Sequence, residues 1–234
     1  MALLDVQDAE SGYGEMQILW GIDLRVEPSE TVILLGANSA GKTTLLRTII
    51  GLLPCRGGSI RFEGEAIEML TPDQRIRRGM AFMSELGVFT TLSIEENIRL
   101  GGYFLSSAEV RRRSTRLYEL FPDLAKKRHD LAASLSGGQR KMLGIAKVLV
   151  SEPKLLLMDE PSAGLAPVFV KQVVEVLQTV IGGGGTALLL AEQNVAFLSL
   201  ADRGYLIDGG RVRLSGTPAE LEASDAVHAA YFGL

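Results

Sequence analysis

One stretch of this sequence reads Gly36-Ala37-Asn38-Ser39-Ala40-Gly41-Lys42-Thr43-Thr44 and matches the phosphate-loop pattern G-x-x-x-x-G-K-[ST] in full. Before it, the β-branched apolar run from Thr31 to Leu35 predicts a buried strand. After it, Leu45 to Ile50 predicts a helix that ends at Gly51. The strand, loop and helix therefore follow one another in the order that a phosphate-binding loop requires.

The residue types of this loop indicate what it binds. Its glycines let the backbone close around an anion, so that N–H groups point at phosphate oxygens, and the helix adds the positive end of its dipole. Lys42 would reach the β- and γ-phosphates, and the Thr43 hydroxyl would bind Mg²⁺. The alternative is a glycine-rich turn without a ligand. We predict a site for a nucleoside triphosphate.

Length and composition fit a single soluble domain. The chain has 234 residues, 47% of them hydrophobic and 22% charged, which is enough for a sizeable core. A net charge of −4 and a pI near 5.4 argue against nucleic acid as the main partner. The single cysteine, Cys55, excludes an internal disulfide and fits a reducing compartment. We find no signal-peptide pattern and no run of ~18 apolar residues, so we expect a cytosolic protein.

Apolar runs predict the strands. Leu3 to Val6 and Ile22 to Val26 read as two short strands, with a turn at Ser11-Gly12-Tyr13-Gly14 between them. Further strands are expected over residues 59–62, 80–83, 154–158 and 186–191, and a β-hairpin over 205–214. The run over 186–191 is apolar throughout, which predicts a parallel sheet covered on both faces.

Residues 93–150 read as helical. Ser106 followed by Glu109 predicts a capping box for a helix that runs to about Leu120. This helix carries four arginines, which indicate a solvated face or, as the alternative, contact with a membrane surface: Arg111, Arg112, Arg113 and Arg116. Other helices are expected over 73–78, 168–181 and 217–234.

Two carboxylates follow the apolar strand that ends at Met158. Ligands of open α/β sheets bind at the carboxyl edge of the strands, so Asp159 could hold Mg²⁺ through water. Glu160 could then reach the water that attacks the γ-phosphate, as general base or orienting group. A hydrophobic strand ending in acids is common on its own, but here it follows a phosphate loop.

A second glycine-rich segment stands at a predicted helix start. Leu135-Ser136-Gly137-Gly138-Gln139 combines a hydroxyl with bare glycines, which makes it either a second anion site or a simple helix N-cap. Together, the phosphate loop, LSGGQ and LLLMDEP resemble the ATP-binding subunits of ABC transporters over nearly the whole chain. The resemblance implies that the phosphate loop and the Ser136 motif serve one ATP from opposite subunits of a head-to-tail dimer.

The resemblance also implies a fold and further site residues. The fold is α/β: a P-loop nucleotide-binding core (1–84 and 151–234) with a mixed, largely parallel sheet and an antiparallel β-layer, and a helical subdomain (85–150), in one domain spanning 1–234. Tyr13 matches the aromatic that stacks on adenine, with a plain packed tyrosine as the alternative. Ser162-Ala163-Gly164-Leu165 matches the loop that passes between the subunits.

Two positions depart from the family pattern. Glu85 stands where most members carry glutamine that helps to hold the metal and faces the membrane partner, and Gln193 stands where most carry histidine beside the γ-phosphate. These departures are similar to those in the subunits of branched-chain amino acid importers, as are the segments around Glu95 and Pro167. In the subunits of urea or amide importers these segments differ by only a few residues, so an importer of that kind is the alternative.

These observations predict an ATPase that powers a membrane importer. It would pair with a second ATPase subunit, with integral membrane permease subunits and, indirectly, with a periplasmic or extracellular solute-binding protein, at the inner face of the cell membrane. The alternatives are a soluble ABC protein outside transport and a module that closes on ATP without hydrolysing it. Glu160 argues against the second alternative, and the lack of a duplicated cassette or a long insertion argues against the first.

Overall fold

The computed structural model describes residues 1–84, 87–225 and 227. The described part of the chain forms strands at β1 (Leu4–Tyr13), β2 (Met16–Val26), β3 (Thr31–Leu35), β4 (Gly57–Phe62), β5 (Glu65–Ala66), β6 (Met80–Met83), β7 (Leu155–Asp159), β8 (Ala187–Ala191), β9 (Arg203–Asp208) and β10 (Arg211–Gly216). Its helices are α1 (Lys42–Ile50), α2 (Pro72–Arg77), α3 (Ile94–Gly101), α4 (Ser107–Leu120), α5 (Pro122–Lys126), α6 (Gly137–Leu149), α7 (Pro167–Gly182) and α8 (Pro218–Glu222).

The central sheet has the strand order β10-β9-β3-β8-β7-β6, and all its pairs are parallel except β9 with β10. Both of its faces are covered, because alternate side chains of a strand point to opposite faces. On β3, Val32 and Leu34 enter one core while Ile33 and Leu35 enter the other. The continuous apolar runs of the sequence thus correctly predicted a parallel sheet buried on both sides.

A second, antiparallel sheet, in the order β2-β1-β4-β5, covers one face. Helix α1 packs between the two sheets, and Leu45, Leu46 and Ile49 are fully buried in the core that they share. Helices α3 to α7 and part of the central sheet enclose the other core. The mixed sheet, the antiparallel layer and the run of helices between β6 and β7 are as the sequence predicted.

Helix α1 is fastened at its carboxyl end by a buried arginine. The guanidinium of Arg75, on α2, donates hydrogen bonds to the carbonyls of Thr48 and Ile49 at 2.9 and 2.7 Å, and to those of Leu70 and Glu68. Only 2% of Arg75 is exposed. Because the last carbonyls of a helix have no partner within it, this arginine closes the end of α1 opposite to the phosphate loop.

Two sequence predictions near the amino terminus are wrong in detail. The first strands are long, and Ser11 to Tyr13 belong to β1 rather than to a turn, which lies instead at residues 14–15. The pairing of β1 with β2 shifts register between Val6 and Ala9. Such bulges break the alternation of apolar residues that identifies a strand in a sequence.

The helical predictions hold with three corrections. Ser106 caps α4, but Glu109 binds Arg112 and Arg113 instead of completing a capping box. Arg113 is not solvated, because it also donates to the carbonyl of Ser151 and pairs with Glu152. The helix predicted over 217–234 is shorter where it is described, because α8 ends at Glu222; residues 226 and 228–234 lie outside the described residues. No helix of the described ranges has the length and apolar character to span a membrane.

Candidate functional site

A cleft lined by polar and charged side chains lies at the carboxyl edge of the central sheet. It has a volume of about 480 Å³ and is lined by Tyr13, Ile18, residues 38–44 of the phosphate loop, Arg47, Ser84, Asp159 and Glu160. The loop leaves β3, and the two acids stand at the end of β7. The structure therefore brings the phosphate loop and the acids Asp159 and Glu160 to one site.

The loop's shape depends on two of its glycines. Gly36 and Gly41 have φ values of 148° and 111°, which side chains disfavour. A Cβ atom at Gly36 would lie 2.2 Å from the carbonyl oxygen of Ile207, and one at Gly41 would lie 3.0 Å from Leu19. A side chain at Gly36 would clash with the backbone of β9, and at Gly41 the positive φ disfavours any side chain, so the loop requires glycine at both positions.

Lys42 is folded onto the loop from which α1 starts. Its Nζ donates to the carbonyls of Gly36 and Ala37 at 2.7 and 3.0 Å, and it lies 3.7 Å from Oε1 of Glu160. Only 3% of Lys42 is exposed. Burial lowers the pKa of Lys42, and the negative charges of Glu160 and Asp159 oppose that shift. The ammonium thus stands, charge-paired, at the position where the sequence predicts a phosphate contact.

Thr43 and Asp159 meet on the floor of the cleft. The Thr43 hydroxyl donates to Oδ1 of Asp159 at 2.8 Å, and burial raises the pKa of this carboxyl. A hydroxyl and a carboxylate side by side are the hard oxygen donors that Mg²⁺ prefers. The described residues hold no cluster of three or more His, Cys, Asp or Glu side chains suited to a metal. The pair therefore fits an ion that takes its other ligands from phosphate and water.

Glu160 occupies a strained and well-defined position. Its φ is 48°, in the left-handed region that costs a non-glycine residue roughly 1–3 kcal/mol. The backbone is held by a bond from its N–H to the carbonyl of Ala191 at 2.9 Å. Its side chain accepts a hydrogen bond from Nε2 of Gln193 at 2.9 Å. The structure thus directs this carboxylate into the cleft beside Lys42.

Gln193 bridges the two motifs. Besides Glu160, its amide nitrogen donates to Oδ1 of Asn38 in the phosphate loop. The following short 3-10 helix, Val195–Leu200, is capped by Asn194, whose side chain accepts from the N–H of Ala196. An uncharged amide therefore links the loop and the acid.

Glu192 is a site residue for which the sequence pattern predicted no role. It is 2% exposed, and its carboxylate accepts from the backbone N–H of Ser162, at 2.8 Å, and from those of Gln193 and Asn194. One acid thereby fixes both the segment after Glu160 and the backbone of Gln193. The only sequence signal was its place directly after an apolar strand.

Tyr13 stands at the rim of the cleft. It is 41% exposed, and its hydroxyl accepts a hydrogen bond from Nη1 of Arg47 at 3.1 Å. A packed core tyrosine would be buried, so the exposed ring favours the stacking interpretation. Its contact with adenine stays a prediction.

The Ser136 motif lies apart from this cleft. The Ser136 hydroxyl accepts from the N–H of Gln139, and the Gln139 side chain accepts from the N–H of Ser136, so the pair forms a capping box at the start of α6. Among the described residues that line the cleft, none comes from this motif. Gly137 faces open space. Ser136, Gly137, Gly138 and Gln139 therefore remain predicted ligands of a partner's nucleotide. Glu85, predicted beside the metal, lies outside the described residues.

Comparisons with known proteins agree with these motifs. The family model described as ABC transporter matches residues 19–163. The chain is 38% identical to the high-affinity branched-chain amino acid transport ATP-binding protein BraG of Pseudomonas aeruginosa, over 99% of this chain and 100% of that protein. It is 34% identical to the probable branched-chain amino acid transport ATP-binding protein LivF of Archaeoglobus fulgidus, over 90% of each.

A solved structure, the ADP conformation of an ATP-binding cassette of an ABC transporter, matches all of both chains with a TM-score of 0.87 and 23% identity. This agreement confirms the predicted fold class. The similarity extends well beyond the phosphate loop.

Proposed function

This chain belongs to the ABC transporter family, and we propose that it is the ATP-hydrolysing subunit of an importer for branched-chain or other hydrophobic amino acids. ABC ATPases couple hydrolysis to transport. The proposed solute rests on the two relatives whose names give branched-chain amino acid transport. The solute passes through other subunits, so the chain's own chemistry concerns ATP.

The observation that carries the ATPase assignment is the convergence of Glu160, Gln193 and Lys42 beside the Thr43–Asp159 pair. Mg²⁺ bound with ATP would neutralise phosphate charge, and Thr43 and Asp159 would hold it. Lys42 exchanges its contacts with loop carbonyls for contacts with the β- and γ-phosphates. Glu160 accepts a proton from the attacking water or orients it, and Gln193 keeps Glu160 in place.

Binding of ATP is proposed to join two subunits. One chain carries each half of the site once, and its Ser136 motif lies away from its own cleft. In a head-to-tail dimer, Ser136 and the N–H groups at the start of α6 would bind the γ-phosphate held by the partner. The second subunit is either another copy or a related chain.

We propose that the membrane partner docks on the loop that precedes α3. Phe89 is 54% exposed, its ring lies 5.0 Å from Nζ of Lys147, and Val88 lies beside it. An apolar residue with a cation fits a helix of a permease subunit. Residues 85–150 would then move as a helical subdomain against the core. This arrangement puts the protein at the cytoplasmic face of the cell membrane, with a solute-binding protein acting on the far side.

Phosphate release by the purified chain tests the ATPase assignment. We expect steady turnover with Mg-ATP, and a Glu160→Gln protein that binds ATP, forms a dimer and does not hydrolyse. Full activity of Glu160→Gln would refute the assignment.

The solute requires a second experiment, on the complex that co-purifies with the chain. Reconstituted in vesicles with its binding protein, the complex should accumulate leucine in an ATP-dependent way. Accumulation of urea or amides instead would favour the alternative, an importer of urea or amides. Co-purification without any membrane subunit would favour a soluble ABC protein.

A further inference from the structure

Helix α6 contacts the segment that carries Glu160 at two places. Nζ of Lys141, about one turn after the start of the helix, donates to the backbone carbonyl of Glu160 at 3.2 Å. At the start itself, Gly138 lies so close to Phe169 of α7 that a Cβ there would be 2.3 Å from the ring. Helix α6 therefore contacts this segment at Glu160 itself and further along the chain at Phe169.

The carbonyl of Glu160 needs such a contact. Its residue has a φ of 48°, which is maintained only if the surroundings determine it. Besides Lys141, this oxygen accepts a hydrogen bond from the N–H of Ala163 at 3.1 Å. The ammonium adds a charge-assisted bond, which is about twice as strong as a neutral one. Removing it would loosen the backbone that aims the carboxylate.

We propose that Lys141 is a positioning residue that transmits the state of the Ser136 end of α6 to Glu160 of the same chain. The inference rests on the proposed function, in which Ser136 serves the partner's nucleotide and Glu160 serves the chain's own. A helix transmits displacement along its axis because its backbone is internally hydrogen-bonded. When Ser136 binds a γ-phosphate, Lys141 moves with helix α6 and thereby fixes the position of the backbone carbonyl of Glu160. The two nucleotide sites of a dimer are thereby coupled through one lysine in each chain.

The first experiment compares Lys141→Met, which keeps the length of the side chain without its charge, with Lys141→Arg, which keeps the charge. Lys126→Met is the matched control, because the side chain of Lys126 is 75% exposed and pairs with Asp123 on its own helix α5. We expect kcat of Lys141→Met to fall about tenfold, with KM and the Kd for ATP within about twofold of the parent. Lys141→Arg should recover most of the loss, and Lys126→Met should match the parent.

Three results would overturn the inference. One is parental kcat in Lys141→Met. The second is a loss of kcat that Lys141→Arg does not recover, and the third is a loss of kcat accompanied by a lowered Tm, because either of these would indicate a packing role.

The second experiment tests transmission by a double-mutant cycle with Ser136→Ala. If Lys141 carries the signal from Ser136, the double variant should turn over about as slowly as the slower single variant. Effects that multiply would show that the two residues act independently and would overturn the coupling. Glu160→Gln is included in the same assays: its full activity would refute the proposed function itself, whereas its inactivity beside a parental Lys141→Met would refute only this inference.

Discussion

Replacing Gln193 with alanine removes the amide that joins Asn38 to Glu160. A hydrogen bond to a charged group contributes roughly 1.5–3 kcal/mol, which corresponds to about 10- to 150-fold in rate. Gln193 is half-buried at an open cleft, so water can partly replace the amide and the lower end applies. We expect kcat to fall about tenfold, with little change in the affinity for ATP, because Lys42 and the loop remain.

The assay is steady-state phosphate release at saturating Mg-ATP, with the nucleotide Kd measured separately. Gln172→Ala is the matched control, because it removes an exposed glutamine from α7. Hydrolysis by Gln193→Ala at the parental rate would refute the role that the geometry gives this residue.

The Gln193→His variant tests the direction in which turnover changes with pH. Protonated imidazole has two N–H donors and can keep the contacts with both Asn38 and Glu160, whereas the neutral ring has one donor. With an ordinary pKa of ~6.5, the Gln193→His protein should lose turnover as the pH rises from about 6 to 7.5. The parent should show no such step, and a flat profile in the variant would contradict the account.

The other predictions concern binding, assembly and stability. Lys42→Ala should weaken ATP binding to the isolated chain at least tenfold, by loss of a charge-assisted contact, whereas Ser136→Ala should spare this binding and lower only turnover; equal losses in isothermal titration would contradict the cross-subunit site. Arg75→Met should lower the free energy of unfolding by about 3 kcal/mol, since buried carbonyls lose their donor, and a urea midpoint equal to that of Arg78→Met would contradict this. Phe89→Ala should reduce co-purification of the membrane subunits but not the ATPase of the isolated chain; undiminished co-purification would remove Phe89 from the docking surface.

Local pattern was sufficient to predict where the phosphate loop and the two acids at the end of β7 lie. In each case the function depends on a short segment whose strand and helix are encoded beside it, so the residues could be identified from spacing. The position of Gln193 was also predicted, although its partners were not. The hydrogen bond that Gln193, just beyond β8, donates to Asn38 of the phosphate loop spans 155 positions of sequence.

Long-range contacts explain what the sequence did not reveal. Glu192 and Lys141 act on backbone groups that any residue type possesses, so no pattern identifies them. The sequence predicted that Arg113 would be solvated. That prediction failed because the carbonyl of Ser151, which Arg113 binds, comes from a different segment of the chain. The long strand β1 was shortened in the prediction because its irregular register depends on the partners β2 and β4.

The central position of β3 has a consequence for synthesis of the protein. Its two neighbours in the sheet are β8 and β9, so the strand that carries the phosphate loop pairs only with residues beyond position 186. While the ribosome is still making the earlier part, both hydrogen-bonding edges of β3 lack their partner strands, and closing so long a loop is slow. The nascent chain therefore cannot complete the sheet beneath its phosphate loop until β8 and β9 have been made.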